Sequence, residues 1–146
     1  MDKALHPIEI LLVEDSPSDA QLTIRSFNQS KIANHLHWVE DGESAVAFLR
    51  HQEEYVNAPR PDLILLDLNL PGMDGRDVLA EVKSDPNLKR IPIVILTTSA
   101  DEQDILRSYN LNANCYITKP VDLQRFLEVV QLIDNFWLAV VTLPPN

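Results

Sequence analysis

Five short runs rich in β-branched residues and leucine alternate along the chain with longer stretches whose apolar positions recur at helical spacing. The runs are Glu9 to Val13, His35 to Val39, Leu63 to Leu66, Pro92 to Leu96 and Cys115 to Ile117. The first, third and fourth are apolar almost throughout, as in parallel strands covered on both faces. The second, His35-Leu36-His37-Trp38-Val39, alternates more and predicts an edge strand. The connections are too long for hairpins and long enough for crossover helices. Ser16-Pro17 supplies an N-cap and a proline at the first helical position, with Asp19 in the first turn and Ala20, Ile24 and Phe27 on one face. Helices are also predicted after Gly42 (Glu43 to Arg50), after Gly75 (Arg76 to Lys83), from a Ser99/Glu102 capping box (Asp101 to Tyr109) and after Asp122 (from Leu123). The loop Glu53 to Pro61 exceeds what a tight turn needs and is an exposed excursion.

Alternating strands and helices predict an α/β fold, a doubly wound (βα)5 sandwich with a parallel five-stranded sheet. Right-handed crossovers leave few strand orders, and the flavodoxin-like order 2-1-3-4-5 is expected. Its functional crevice lies at the carboxyl ends of the strands, beside the switch point between strands one and three. Polar residues wait at those ends: Glu14-Asp15 after run one, Asp67 after run three, Thr97 after run four and Lys119 after run five.

Gathered there, three carboxylates repel one another and lose hydration, and they stay ionised cheaply only around a shared cation. The donors are hard oxygens, with no Cys or His in the cluster, which selects Mg²⁺ (or Mn²⁺) over zinc. Asp15, Asp67 and the backbone carbonyl of Asn69 would suffice as ligands, with Glu14 acting through a water. A metal so held leaves room for a phosphoryl oxygen, to which the Lys119 ammonium and the Thr97 hydroxyl would add stabilisation. Asp67, alone after a central strand, is the better nucleophile, and its product would be an aspartyl phosphate. Each residue singly has a plainer reading, such as a helix cap, a turn or a strand exit. All four falling at successive strand ends favours a site.

These motifs resemble the receiver domain of bacterial two-component response regulators. Leu-Val-Glu-Asp follows run one, Leu-Leu-Asp-Leu-Asn-Leu-Pro-Gly-Met-Asp-Gly run three, Leu-Thr-Thr-Ser run four and Tyr-Ile-Thr-Lys-Pro run five, and the likeness extends from about Ile8 to Ile133. The resemblance implies Asp67 as phosphoacceptor, Glu14 and Asp15 as the acidic pair at Mg²⁺, Thr97 as switch hydroxyl, Lys119 as phosphate-pairing lysine and Tyr116 as switch aromatic. It also implies a phosphohistidine on a partner sensor histidine kinase as donor, and a cis peptide between Lys119 and Pro120. Thr98 stands where a smaller residue is usual. The Val-Glu-Asp-Ser-Pro-Ser-Asp stretch and the long loop before strand three look similar to the small response regulators paired with cyanobacterial phytochromes. The implied role is a phosphoacceptor signalling protein, not an enzyme, that assists its own phosphorylation and dephosphorylation.

Bulk composition narrows the setting. A chain of 146 residues, 45% apolar and 23% charged, is expected to form one soluble domain. Its formal net charge of −10 repels nucleic acid and anionic membrane, so neither is an expected partner. The single cysteine, Cys115, excludes an internal disulfide and suggests a reduced, cytoplasmic setting. No leader and no membrane-length apolar run is evident. Residues 1–134 are expected to form the receiver and 135–146 an extension with an apolar tail and no output domain, so the signal would pass to an unknown downstream protein. The last helix carries a second apolar stripe, Val129, Leu132 and Phe136, continued by Val140, which predicts a homodimer through that helix and tail. His35 and His37, with no carboxylate adjacent in sequence, are expected to face solvent, and Trp38 to make a core or rim contact.

Three other functions compete. A flavodoxin-like carrier would need a first loop that welcomes a flavin phosphate, and Glu14 and Asp15 repel one. An aspartyl-nucleophile phosphohydrolase usually has a general acid two residues after the nucleophile, where Asn69 stands. A docking module indifferent to phosphorylation would lack part of the acidic set or the lysine.

Overall fold

A computed structural model describes residues 7–30, 33–97, 115–119, 121–122 and 124–126. Five parallel strands form one sheet: β1 (Ile8–Val13), β2 (Asn34–Val39), β3 (Leu63–Asp67), β4 (Ile93–Thr97) and β5 (Cys115–Thr118). Their order is β2-β1-β3-β4-β5, as expected from the alternation of elements. The register runs Ile8↔Asn34 between β1 and β2, Ile10↔Leu63 between β1 and β3, Ile64↔Ile93 between β3 and β4, and Val94↔Cys115 between β4 and β5. The edge assignment of β2 holds. Both β3 and β4 extend one residue past their apolar runs, so Asp67 and Thr97 are the last members of their ladders.

Period-two alternation divides the strand side chains between two cores. Leu11, Val13, Ile64, Leu66, Ile93 and Ile95 pack with Phe48, Val78, Leu79 and Val82 on one face. Ile10, Leu12, Leu63, Leu65, Val94 and Leu96 pack with Ala20, Phe27 and Phe126 on the other. Burying each such side chain contributes about 1.5–3 kcal/mol, which is why β3 and β4 carry no polar residue before their last positions.

The helices are α1 (Pro17–Asn28), α2 (Gly42–Leu49) and α3 (Gly75–Ser84). Ser16 caps α1 by accepting from the Asp19 N–H at 3.3 Å. Asp41 caps α2 through Ser44 N–H, and Asp74 forms a capping box with Asp77 at the start of α3, so a carboxylate cap precedes the glycine that marks each of these two helix starts. Gly75 also lies against β3: a Cβ there would collide with the Asp67 carbonyl oxygen and meet Leu68 Cα at 2.6 Å. The loop carrying Asp67 and Asn69 therefore rests directly on the first turn of α3. The excursion before β3 contains one 3₁₀ turn, Glu53–Tyr55.

Asp122 Oδ1 accepts from Gln124 N–H at 2.9 Å, the expected cap of the last helix, and residues 124–126 are helical. The rings of Phe27 and Phe126 meet edge to face with centroids 5.0 Å apart, which ties that turn to α1. The predicted helix Asp101 to Tyr109, Thr98, the Lys119–Pro120 peptide and the proposed dimer residues Val129, Leu132, Phe136 and Val140 lie outside the described residues.

His35 faces solvent as expected, while His37 is half-buried, and both have an acid partner that the expectation lacked. Glu9 lies opposite His35 in the β1–β2 register, and its two carboxylate oxygens reach His35 Nδ1 at 2.7 Å and His37 Nε2 at 3.2 Å. The His37 ring also packs against Phe48, with centroids 5.5 Å apart. A carboxylate 26 residues away in sequence is adjacent in space because the sheet pairs the two strands.

Candidate functional site

Where β1, β3, β4 and β5 end, their last residues converge. Glu14 follows β1 and is 1% exposed; Asp67 closes β3 at 3%. Asp15 follows Glu14 and is exposed, and one carboxylate oxygen from each of Glu14, Asp15 and Asp67 lies within 4.8 Å of the others. Lys119 follows β5, and its N–H donates to the Thr97 carbonyl at 2.8 Å, continuing the β4–β5 ladder one step beyond the strand. That bond turns the lysine stem toward the carboxylates. Nζ lies 2.7 Å from Glu14 Oε1, 2.9 Å from Asp67 Oδ2 and 3.2 Å from Asp19 Oδ2.

Local backbone geometry holds the acids in place. Ser16 N–H donates to Glu14 Oε2 at 3.2 Å, and the Trp38 indole donates to the Glu14 carbonyl at 2.7 Å, so Trp38 is a rim contact of the site. Asn69 N–H donates to Asp67 Oδ1 at 3.1 Å. Asp67 thus has one oxygen toward its own loop and the other toward Lys119. Asp15 and Asn69 line one cleft of about 430 Å³ beside this cluster, with Asp74 and Arg76 across it. Thr97 is fully buried, and among the described residues its hydroxyl has no hydrogen-bond partner. A buried hydroxyl left unpaired costs about 1–3 kcal/mol, so the fold holds this group in readiness for an acceptor.

The family model for the response regulator receiver domain matches residues 10–131. The chain belongs to this family. The receiver is 53% identical over 143 residues to the response regulator Rcp1 of Synechocystis sp., across 98% of this chain and 97% of that protein. It is similar to the Mn²⁺-bound form of Rcp1, with 54% identity and a TM-score of 0.73 over 95% of this chain and 100% of that one. It is also similar to the phosphorylated cyanobacterial phytochrome response regulator RcpA, with 51% identity and a TM-score of 0.75 over 96% and 100% of the two chains. The receiver is a homologue of the cyanobacterial phytochrome response regulators and shares their phosphoacceptor class. Among its described residues no helix is long and apolar enough to cross a membrane.

The charges of the receiver's site are unbalanced. Glu14, Asp19 and Asp67 meet one ammonium, Lys119, and Asp15 adds a further carboxylate beside Glu14 and Asp67. Burial pushes the Glu14 carboxyl up to about 7, and its hydrogen bond with Asp67 adds to the rise; the contact with Lys119 opposes both without cancelling them. At Lys119, burial favours the neutral amine, but the hydrogen bonds it donates to Glu14 and Asp67 outweigh it and hold the ammonium well above its ordinary range. The cluster therefore has one cation where the acids call for more positive charge. Its donors are carboxylate oxygens with no imidazole or thiol among them, a set that suits a hard divalent ion such as Mg²⁺ or Mn²⁺. The residues fit such a group.

Of the residues singled out in the sequence, Glu14, Asp15, Asp67, Thr97 and Lys119 are brought to one end of the sheet. Asn69 adjoins them through its N–H to Asp67. Tyr116 stands apart, partly buried against the α2–α3 core and opposite Ile95 in the ladder. Asp19 is the site residue that sequence reasoning missed, because in the chain it reads only as a first-turn acid. Its spacing is a usable signal: it lies four residues after Asp15, where the first turn of α1 carries it back over the strand ends.

Proposed function

We propose that the receiver accepts a phosphoryl group on Asp67 from a phosphohistidine of a phytochrome-type sensor kinase, with Mg²⁺ (or Mn²⁺), and signals by changed contacts with a downstream protein. The observation that carries this reading is the Lys119 ammonium joining Glu14 to Asp67, with the unpartnered Thr97 hydroxyl at the adjacent strand end. Asp15, Asp67 and the Asn69 carbonyl would hold the metal, with Glu14 reaching it through water. When bound, the ion neutralises charge on the phosphoryl oxygens.

An Asp67 carboxylate oxygen attacks the phosphorus. The P–N bond to the histidine breaks, and the departing imidazole keeps the bonding pair and takes a proton. The P–O bond to Asp67 forms as the chain's own donors gather the phosphoryl oxygens: Lys119 swings from its carboxylate contacts to one, and the Thr97 hydroxyl donates to another. Thr97 thereby gains a partner that the described residues do not supply. Its movement toward the phosphoryl group would vacate space along β4 for Tyr116, whose neighbour in the ladder is Ile95. Asn69, without an acidic proton, offers no general acid for rapid turnover of a phosphate ester.

Support for the phytochrome pairing comes from the similarity to Rcp1 and RcpA across nearly the whole chain. The test is direct. Incubated with Mg²⁺ and acetyl phosphate and weighed intact, the parent protein should gain one phosphoryl group and Asp67→Asn none at that position. A parent protein that gains none, or a variant modified to the same extent at the same residue, would overturn the assignment.

A further inference from the structure

At the opposite end of the sheet lies a basic cleft in an otherwise acidic protein. Its volume is about 830 Å³, within the range of small-ligand pockets. Arg50, Arg60, Lys89 and Arg90 line it against one carboxylate, Asp85, so four of the chain's 12 lysines and arginines stand on a molecule whose formal charge is −10. The cations arrive on three segments: the end of α2, the excursion before β3, and the turn between α3 and β4. All three segments lie at the amino ends of β3 and β4, a strand length from Asp67 and Thr97, or roughly 15 Å.

One of the four is paired within the fold and three are not, among the described residues. Arg50 is held by Glu81 at 2.9 Å and Asp85 at 3.5 Å. Arg60 donates one N–H to the Asn87 carbonyl at 2.7 Å, which fixes its stem beside the cleft and leaves its other donors outward. Among the described residues, Arg60, Lys89 and Arg90 have no carboxylate partner. Like charges placed together without counter-charge repel, and that repulsion is relieved when an anion enters.

His51 stands beside these cations on the cleft wall. It closes α2 in a Schellman turn, with its N–H on the Phe48 carbonyl and the Gln52 N–H on the Ala47 carbonyl. The closing residue has a φ of 55°, the left-handed region where glycine is least costly. Histidine stands there instead and places an imidazole on the cleft wall.

We infer that this cleft binds a small phosphate-bearing anion with at least two phosphate groups. Guanidinium forks suit phosphate oxygens in pairs, and cations on three separate segments require more than one phosphate to be satisfied together. A nucleic-acid strand fits poorly, because the remaining surface is acidic and repels its backbone. The inference stands apart from the phosphoacceptor reading, since no residue is shared.

The test is a titration of the full chain with pyrophosphate in metal-free buffer, followed by amide chemical shifts. ATP and a short polyglutamate peptide serve as parallel arms. Saturable shifts should be confined to residues near 49–51, 60 and 87–90, and binding should weaken with added salt. Lys89→Glu with Arg90→Glu should lower affinity for pyrophosphate at least about tenfold, as should the milder Lys89→Gln with Arg90→Gln. Phosphorylation of both variants by acetyl phosphate should match the parent, which shows that they are folded. Absence of saturation, shifts elsewhere, or equal affinity in the variants would overturn the inference. Binding of the peptide but not of pyrophosphate would overturn it too, in favour of an acidic protein segment as the occupant.

Discussion

Replacing Glu14 by glutamine removes a charge the fold tolerates at a cost. The carboxyl is nearly inaccessible, and burial carries it from an ordinary 4.5 to about 7. At about 1.4 kcal/mol per pH unit, that displacement amounts to about 3 kcal/mol. The sign follows from linkage. A folded-state value above the unfolded one means that the folded protein binds the proton more tightly. The stabilising contribution is then fully present below 4.5 and is lost as pH rises through 7. Other groups titrate in the same window, so the informative quantity is the difference between parent and variant. In metal-free buffer, urea unfolding should show the parent losing stability relative to Glu14→Gln from pH 4.5 upward, with the variant more stable by about 3 kcal/mol at pH 8. Mg²⁺ should narrow this gap, because stabilisation by a bound ion grows with its affinity for the folded state and the parent retains the full acidic set. A variant less stable than the parent at pH 8 without metal would refute the reasoning. The 2.7 Å contact with Lys119 would then outweigh the burial of the charge.

Thr97→Val replaces a buried hydroxyl that has no partner among the described residues with a methyl group of similar shape. It should stabilise the unphosphorylated protein by about 1–2 kcal/mol in urea unfolding, while the phosphorylated protein should lose its distinct near-ultraviolet spectrum. Gly75→Ala forces a Cβ against the Asp67 carbonyl and Leu68. It should cost about 1–3 kcal/mol and slow acetyl phosphate labelling, whereas Ala80→Gly on the same helix should cost about 1 kcal/mol and leave labelling rate unchanged. His51→Gly relieves a left-handed residue and should raise stability by about 1 kcal/mol, read as a shift in urea midpoint at constant slope.

Much of this protein was legible in the chain because parallel strands buried on both faces leave a run that is apolar almost throughout and gives way to polar residues at its carboxyl end. Ile8–Val13, Leu63–Asp67 and Ile93–Thr97 announce themselves that way, and the alternation of elements then fixes their order within few choices. Once the order is known, Glu14, Asp15, Asp67, Thr97 and Lys119 fall at one end of the sheet without further information. What the linear chain concealed depends on distance between segments. Asp19 looks like any first-turn acid until α1 packs on the sheet and brings it to Lys119, 100 residues on. Glu9 is an unremarked polar residue in a strand until the β1–β2 register sets it between two histidines. Gly75 reads as a helix start, and only the packing of α3 against the end of β3 shows that no side chain fits there. The basic cleft is the plainest case: Arg50, Arg60, Lys89 and Arg90 are unremarkable in a chain with nearly twice as many acids, and three segments must meet at the amino ends of two strands before their charges add. Periodicity records which face of an element is buried. Which charges face one another is an electrostatic fact about neighbours in space, and folding alone decides it.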